Sequence, residues 1–128
     1  MENDEKDRLD KIVEMQKSIM ARWYEVDKLS FEEKEKRTLE FLVAIIAEVG
    51  ECLSGDDSKG VKGYGALNWK SWKKTKAPTD IDYLKTEFID IFHFILEIMI
   101  IWNCDSNEIY KRYMEKANEN IRRYNSGY

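Results

Sequence analysis

The chain has 128 residues, of which 43% are hydrophobic and 36% are charged, and its formal net charge at pH 7 is −4. This length and apolar content predict one folded domain over residues 1–128 and exclude an intrinsically disordered chain. The negative net charge argues against a general nucleic-acid-binding protein, because such proteins neutralise phosphates with a basic surface.

The spacing of apolar residues predicts four helices and no strands. The first runs from about Asp7 to Lys28 and has an apolar stripe formed by Leu9, Ile12, Met15, Ile19, Trp23 and Val26. Ser30 begins SFEE, a capping box that starts the second helix, whose apolar part is FLVAIIAEVGECL. The third helix is predicted to begin near PTDID and to end at about Trp102, and the fourth to run from CDSNE towards Tyr124. The predicted fold is all-α with a four-helix-bundle-like core.

A segment rich in Gly, Lys and Trp separates the second and third helices. Four of the six glycines lie between Gly55 and Gly65, and basic residues crowd the same segment at Lys62, Lys70, Lys73, Lys74 and Lys76. An irregular segment this long in a compact helical domain is usually functional or disordered. A compact basic patch on an acidic protein is suited to a small anion.

The sequence predicts a cytoplasmic protein with no membrane partner. The N-terminal sequence MENDEKDRLD is charged and does not resemble a secretory signal. The apolar run over residues 88–102 is shorter than the ~20 residues of a membrane span and contains Asp90 and Glu97. Cys52 and Cys104 fit a reducing compartment.

Four carboxylates stand in the apolar parts of helices two and three. Glu48 and Glu51 in AEVGE are three residues apart, as are Glu87 and Asp90 in EFID, so each pair lies on one helical face. If the helices pack face to face, the four groups converge and repel one another unless a divalent cation binds them. An all-oxygen ligand set suits Mg²⁺ or Mn²⁺. The alternative is a solvated face, and the flanking Ile, Val, Phe and Leu residues argue against it.

His93 and Glu97 follow on the face that carries Asp90. His93 is the chain's single histidine and no C-x-x-C motif accompanies it, so a zinc site is not predicted. We expect His93 to pair with Glu97 one turn along the helix and to support the metal ligands from behind.

The segments AEVGE, NWKSWKKT and EFIDIFHF, in this order, resemble the dimeric, all-α dUTPase family, which is related to the MazG-like nucleoside triphosphate pyrophosphohydrolases. EMQKSIM looks like that family's first-helix segment with a glutamine, and YMEKANENIRRYNSGY looks like its C-terminal phosphate-binding segment. The resemblance implies hydrolysis of dUTP and dUDP to dUMP, with release of pyrophosphate or phosphate.

The resemblance also implies a role for each site residue. Glu48, Glu51, Glu87 and Asp90 would bind two or three Mg²⁺ ions, and Glu48 would take a proton from a metal-activated water. The phosphates would be bound by Lys70, Lys73, Lys116, Asn120 and Arg123. The base would be bound by Gln16, Trp69 and Trp72, and the glycine-rich segment would close over the triphosphate as a lid.

Two alternatives remain at this point. The sequence departs from the family pattern at Met20 and Tyr124, so a MazG-like enzyme for another nucleotide, such as dCTP, is the first. The second is a non-catalytic helical assembly or regulatory bundle, with its carboxylates paired to lysines. The many large apolar residues predict a homodimer in each case.

Overall fold

The computed structural model describes residues 5–75 and 77–127, so Lys76 and Tyr128 lie outside the described residues. The described part contains four helices, α1 (Arg8–Met20), α2 (Phe31–Ser54), α3 (Ile81–Ile101) and α4 (Ser106–Asn125), and 3₁₀ turns at Val26–Lys28 and Asp57–Lys59. It contains no strand, and one isolated β-bridge pairs Gly65 with Thr79. The prediction of an all-α fold is confirmed.

Each helix begins at a side chain that accepts a hydrogen bond from the first turn. Asp7 and Asp10 form a reciprocal capping box at α1. The Ser30 hydroxyl accepts from the amide of Glu33 at 3.1 Å, so the predicted start of α2 is confirmed. Asp80 and Asp105 cap α3 and α4 in the same way. These caps satisfy amides that would otherwise have no intrahelical partner.

The first helix is shorter than predicted, because it ends at Met20 and not near Lys28. Its buried residues are Val13, Gln16 and Met20, whereas Met15 of the predicted stripe is 62% exposed. The chain leaves the helix after Met20, and Tyr24 and Val26 turn back against the core. The middle of the predicted stripe, formed by Ile12, Met15 and Ile19, therefore lies on the exposed side of α1, whereas Leu9 and Val26 pack against the core.

Helices α2 and α3 form the main packing interface, and α1 covers one side of α3. The core cluster lies between α1 and the end of α3 and consists of Val13, Met20, Leu96, Ile100 and Ile101. The Trp102 indole donates to the Thr38 hydroxyl at 2.8 Å, which ties the end of α3 to the first half of α2. The outer faces of α2 and α3 remain apolar and exposed, with Ile46 at 70%.

The first half of the glycine-rich segment is tied to the helices. The amide of Leu67 donates to the carbonyl of Cys52 at 3.1 Å, and the Tyr64 hydroxyl donates to Asp80 at 2.5 Å. Gly65 has a φ of 82°, and a Cβ there would lie 2.5 Å from the ring of Tyr83. Only glycine fits that contact without displacing the ring. That the glycine-rich segment closes over the triphosphate as a lid stays a prediction.

No helix in the described part of the chain combines the length and apolar character needed to cross a membrane.

Candidate functional site

Three carboxylates meet where α2 and α3 pack together. Glu48 comes from α2, and Glu87 and Asp90 come from α3. One carboxylate oxygen of each lies within 4.8 Å of the other two. Glu87 is buried, and the other two are half-buried. The three-residue spacing on α3 brings its two carboxylates to one side, and one oxygen of each lies close to Glu48 of α2.

Two oxygen atoms of this cluster are buried without a hydrogen-bond partner in the described chain, Oε2 of Glu48 and Oε2 of Glu87. A buried acceptor with no partner costs roughly 1–3 kcal/mol, and more when it is charged. A hard divalent cation would satisfy both oxygens and would offset the repulsion among the three groups. The donor set therefore fits Mg²⁺ or Mn²⁺, since every ligand atom is an oxygen.

The same crowding changes the acidity of the cluster. Sharing a hydrogen bond with Glu48, together with burial and the neighbouring Glu51, raises the pKa of Glu87 to about 8. That hydrogen bond lowers the pKa of Glu48, but burial and the charges of Glu51 and Asp90 outweigh it, so its pKa lies above the ordinary value. Without a cation, Glu87 therefore holds a proton at neutral pH. A cation would take the place of that proton.

Glu51, the fourth predicted ligand, lies at the solvent edge of the cluster. Its side chain is exposed and interacts with both Glu48 and Glu87. The Tyr83 hydroxyl donates to the backbone carbonyl of Glu51 at 3.0 Å. Burial and the charges of Glu87 and Glu51 raise the pKa of Tyr83 to about 12. Sequence reasoning missed Tyr83, although its position four residues before Glu87 places both on one face of α3.

The predicted supporting residues take different partners. Nδ1 of His93 lies 2.8 Å from Oε1 of Gln16. The residue Gln16 is 4% exposed. Glu97 instead accepts a hydrogen bond from the Tyr24 hydroxyl at 2.9 Å. The Arg37 guanidinium lies 3.9 Å from the centroid of the Tyr24 ring. Burial raises the pKa of Glu97. Glu97 thus belongs to a contact between α3 and the segment after α1.

A cleft of about 660 Å³ at the end of α2 is lined by Lys70, Lys73 and Trp69 of the irregular segment, but not by the predicted base residue Trp72. Lys62, Lys70 and Lys73 contribute to its wall. The Trp69 indole donates to the carbonyl of Leu53 at 3.1 Å, which holds this ring against α2. Trp72 is 70% exposed and meets Trp69 edge to face.

The predicted phosphate residues Lys116, Asn120 and Arg123 lie on the exposed surface of α4. α4 packs mainly against α1. Lys116 and Arg123 both form ion pairs with Glu119 on their own helix, and Asn120 is exposed.

The chain is similar to one family model and to several proteins of known phages. The sequence model of the dUTPase family matches residues 8–108. A dCTP pyrophosphatase of Enterobacteria phage T4 is 28% identical over 146 aligned positions, covering 98% of this chain and 85% of that protein. A dCTP pyrophosphatase of Enterobacteria phage LZ5 is 35% identical over 85 positions, 58% of this chain and 49% of that protein. A DNA replication protein of phage T4 is 28% identical over 134 positions, and the chain spans 34% of its length. No solved structure matches the chain.

Proposed function

This chain belongs to the dUTPase family, and on that premise we propose that it is a Mg²⁺-dependent pyrophosphohydrolase of pyrimidine deoxynucleoside triphosphates. Water would add to a phosphorus of the triphosphate, and the products would be the nucleoside monophosphate and pyrophosphate. The observation that carries the proposal is the cluster of Glu48, Glu87 and Asp90, with two buried oxygens that lack a partner.

Each residue of the cluster would have a distinct task. When bound, Mg²⁺ would neutralise the phosphate charge and make a nearby water easier to deprotonate. Glu48, Glu51, Glu87 and Asp90 would hold the ions. Glu48 would accept the proton of the attacking water, because it is the α2 carboxylate that faces both α3 ligands. No side-chain nucleophile is needed for this class of reaction.

Two bases are supported by different observations. The family match favours dUTP, and dUDP with it, which would yield dUMP. The two pyrophosphatase relatives favour dCTP, which would yield dCMP. Gln16 and the indoles of Trp69 and Trp72 are the proposed base contacts, and Lys70 and Lys73 are the proposed phosphate contacts of the cleft.

We also propose a homodimer. Large apolar side chains are exposed along α2 and α3, among them Leu39, Val43, Ile46, Ile89 and Phe92. An exposed apolar surface of this extent is unusual on a monomer. A second copy of the chain would cover this surface. In such a dimer, Lys116, Asn120 and Arg123 of one chain would be able to approach the carboxylates of the other.

Sedimentation equilibrium is expected to give twice the chain mass at micromolar concentration, and Ile46→Asp is expected to give a folded monomer, because a charge would then lie in the apolar face. Arg22→Asp, an exposed substitution on another part of the surface, should leave the dimer intact. A monomeric wild-type chain would disprove the dimer.

The proposed activity predicts a specific pattern of turnover. With Mg²⁺, the chain should release pyrophosphate from dUTP or dCTP and not from purine deoxynucleoside triphosphates, and EDTA should abolish this release. The measurement is pyrophosphate and phosphate release from the four standard dNTPs, dUTP and dUDP. Absence of turnover for every nucleotide, by protein that melts cooperatively, would exclude the proposal and favour the non-catalytic bundle.

A further inference from the structure

A hydrogen bond ties helices α2 and α3 together at each end of the pair. At one end the indole of Trp102, the residue after α3, donates to the Thr38 hydroxyl at 2.8 Å. At the other end the Tyr83 hydroxyl donates to the backbone carbonyl of Glu51 at 3.0 Å. The direction of this second bond is fixed, because a carbonyl oxygen accepts hydrogen bonds and cannot donate them. The carboxylate cluster lies beside this second bond, since Glu87 follows Tyr83 by one turn of α3.

The ring and the backbone of Tyr83 are both held in place. Tyr83 is half-buried, and the buried residue Gly65 lies so close to its ring that a Cβ on Gly65 would stand 2.5 Å from Cδ1. The amide of Tyr83 donates to Oδ1 of Asp80 at 3.1 Å, and Oδ2 of the same carboxylate accepts from the Tyr64 hydroxyl. The glycine-rich segment and the cap of α3 therefore direct the Tyr83 hydroxyl towards α2.

The carbonyl that accepts from Tyr83 belongs to the last turn of α2, which ends at Ser54. Helix ends open more readily than helix interiors, because their last carbonyls lack intrahelical partners. The Glu51 carbonyl accepts from the amide of Gly55 at 2.8 Å as well as from Tyr83. If this turn moved, it would carry the Glu51 side chain, and Glu48 three residues earlier, away from the carboxylates of α3.

Electrostatic repulsion opposes this hydrogen bond. The two carboxylates of α2 lie beside the two of α3, and like charges on facing helices favour separation of the helices when no cation is bound. A site whose ligands are already held together binds a cation more tightly, because the cation does not have to supply the free energy of bringing them together.

We propose that Tyr83 is a positioning residue for the cation site, whose hydroxyl holds the end of α2 against α3 and so keeps the carboxylates of the two helices at the separation that a divalent cation needs. The inference rests on the proposed function, which supplies the cation, and adds to it a residue that acts through Glu51. Tyr83→Phe removes the hydroxyl and keeps the ring against Gly65, so the packing of the glycine-rich segment is retained.

Binding of Mn²⁺ in the absence of nucleotide tests the inference. The whole chain is titrated with Mn²⁺ at neutral pH, and the free ion is measured by its electron paramagnetic resonance signal. The net contribution of one hydrogen bond corresponds to about 2- to 12-fold in an equilibrium constant, so Tyr83→Phe is expected to raise the Kd for Mn²⁺ by this factor.

Tyr24→Phe is the matched control. The Tyr24 hydroxyl donates to Glu97 of α3 at 2.9 Å, two turns beyond Asp90, so this variant also loses a hydroxyl and a hydrogen bond to α3. We expect its Kd for Mn²⁺ to equal that of wild type, even if its free energy of unfolding falls as much as that of Tyr83→Phe. Loss of stability alone therefore does not produce the expected result.

The Mg²⁺ dependence of turnover gives a second readout. The Mg²⁺ concentration for half-maximal rate should rise in Tyr83→Phe by the same factor as the Kd for Mn²⁺. At saturating Mg²⁺ its kcat should stay within about twofold of wild type, because the bound cation then holds the ligands together in either protein.

The outcomes separate this inference from the proposed function. An unchanged Kd for Mn²⁺ in Tyr83→Phe, or an equal rise in Tyr24→Phe, overturns the inference. Absence of Mn²⁺ binding by wild type overturns it as well. In each case, turnover of a nucleotide by wild type with Mg²⁺ upholds the proposed function, whereas a wild type that neither binds Mn²⁺ nor hydrolyses any nucleotide overturns both.

Discussion

Glu48→Gln is expected to lower kcat for the best nucleotide by about 10²- to 10⁴-fold, the range for loss of a general base. The amide has almost the shape of the carboxylate, but it cannot accept a proton from water at neutral pH. It also offers one oxygen to a cation in place of two. Steady-state release of pyrophosphate, at Mg²⁺ concentrations up to saturation, measures the effect.

Glu40→Gln is the matched control for this variant. Glu40 is an exposed carboxylate on α2, two turns before Glu48, so the same chemical change occurs on the same helix outside the site. We expect its kcat and KM to equal those of wild type. A Glu48→Gln protein that keeps more than a tenth of the wild-type kcat would refute the role of Glu48 as the base.

The sequence predicts the carboxylate cluster well because helical geometry alone determines most of it. Glu87 and Asp90 share a face of α3 whatever the rest of the chain does. The apolar residues around Glu48 predict that this stretch of α2 packs against another element, and Cys52 one turn later is buried, although Ile46 and Val49 are exposed. Caps such as Asp80 and Asp105 are similarly local, so the starts of α3 and α4 are predictable.

Contacts between distant parts of the chain are not predictable in this way. Gln16 and His93 are 77 residues apart in the sequence, and their hydrogen bond depends on the rotation of α1 against α3. Glu97 pairs with Tyr24, which approaches only because α1 ends early at Met20. Neither hydrogen bond can be predicted from a pattern of residues that are neighbours in the sequence.

Exposed apolar residues explain why only part of the apolar stripe predicted for the first helix packs against the core. Hydrophobic periodicity shows which residues avoid water, but it does not identify the surface that covers them. Met15 and Ile19 are exposed in one chain, as are Ile46 and Ile89 of α2 and α3. If a second copy covers part of this surface, the stripe predicts an interface between chains.

The metal-free protein is expected to lose stability as the pH rises from 5 to 8. The pKa of Glu87 is about 8 in the folded protein and near its ordinary value of 4.5 when unfolded. Between these values the folded chain keeps a proton that the unfolded chain has released. The free energy of unfolding therefore falls with rising pH across this window. The contribution of the Glu87 proton to stability is fully present below about pH 4.5 and is lost as the pH passes about 8.

Glu87→Gln should remove much of this dependence and raise the free energy of unfolding at pH 8 by an amount on the order of a few kcal/mol. The amide stays neutral at every pH in the window, so no charge has to be buried beside Glu48 and Glu51. Urea denaturation in EDTA at pH 5.5, 7 and 8.5 measures the slope, with Glu40→Gln as the control that keeps the wild-type slope. Mg²⁺ should stabilise wild type most at pH 8.5, because the cation and the proton compete for the same oxygens. Equal slopes for wild type and Glu87→Gln would show that this carboxyl does not hold the proton, and the argument for a cation site would then rest on geometry alone.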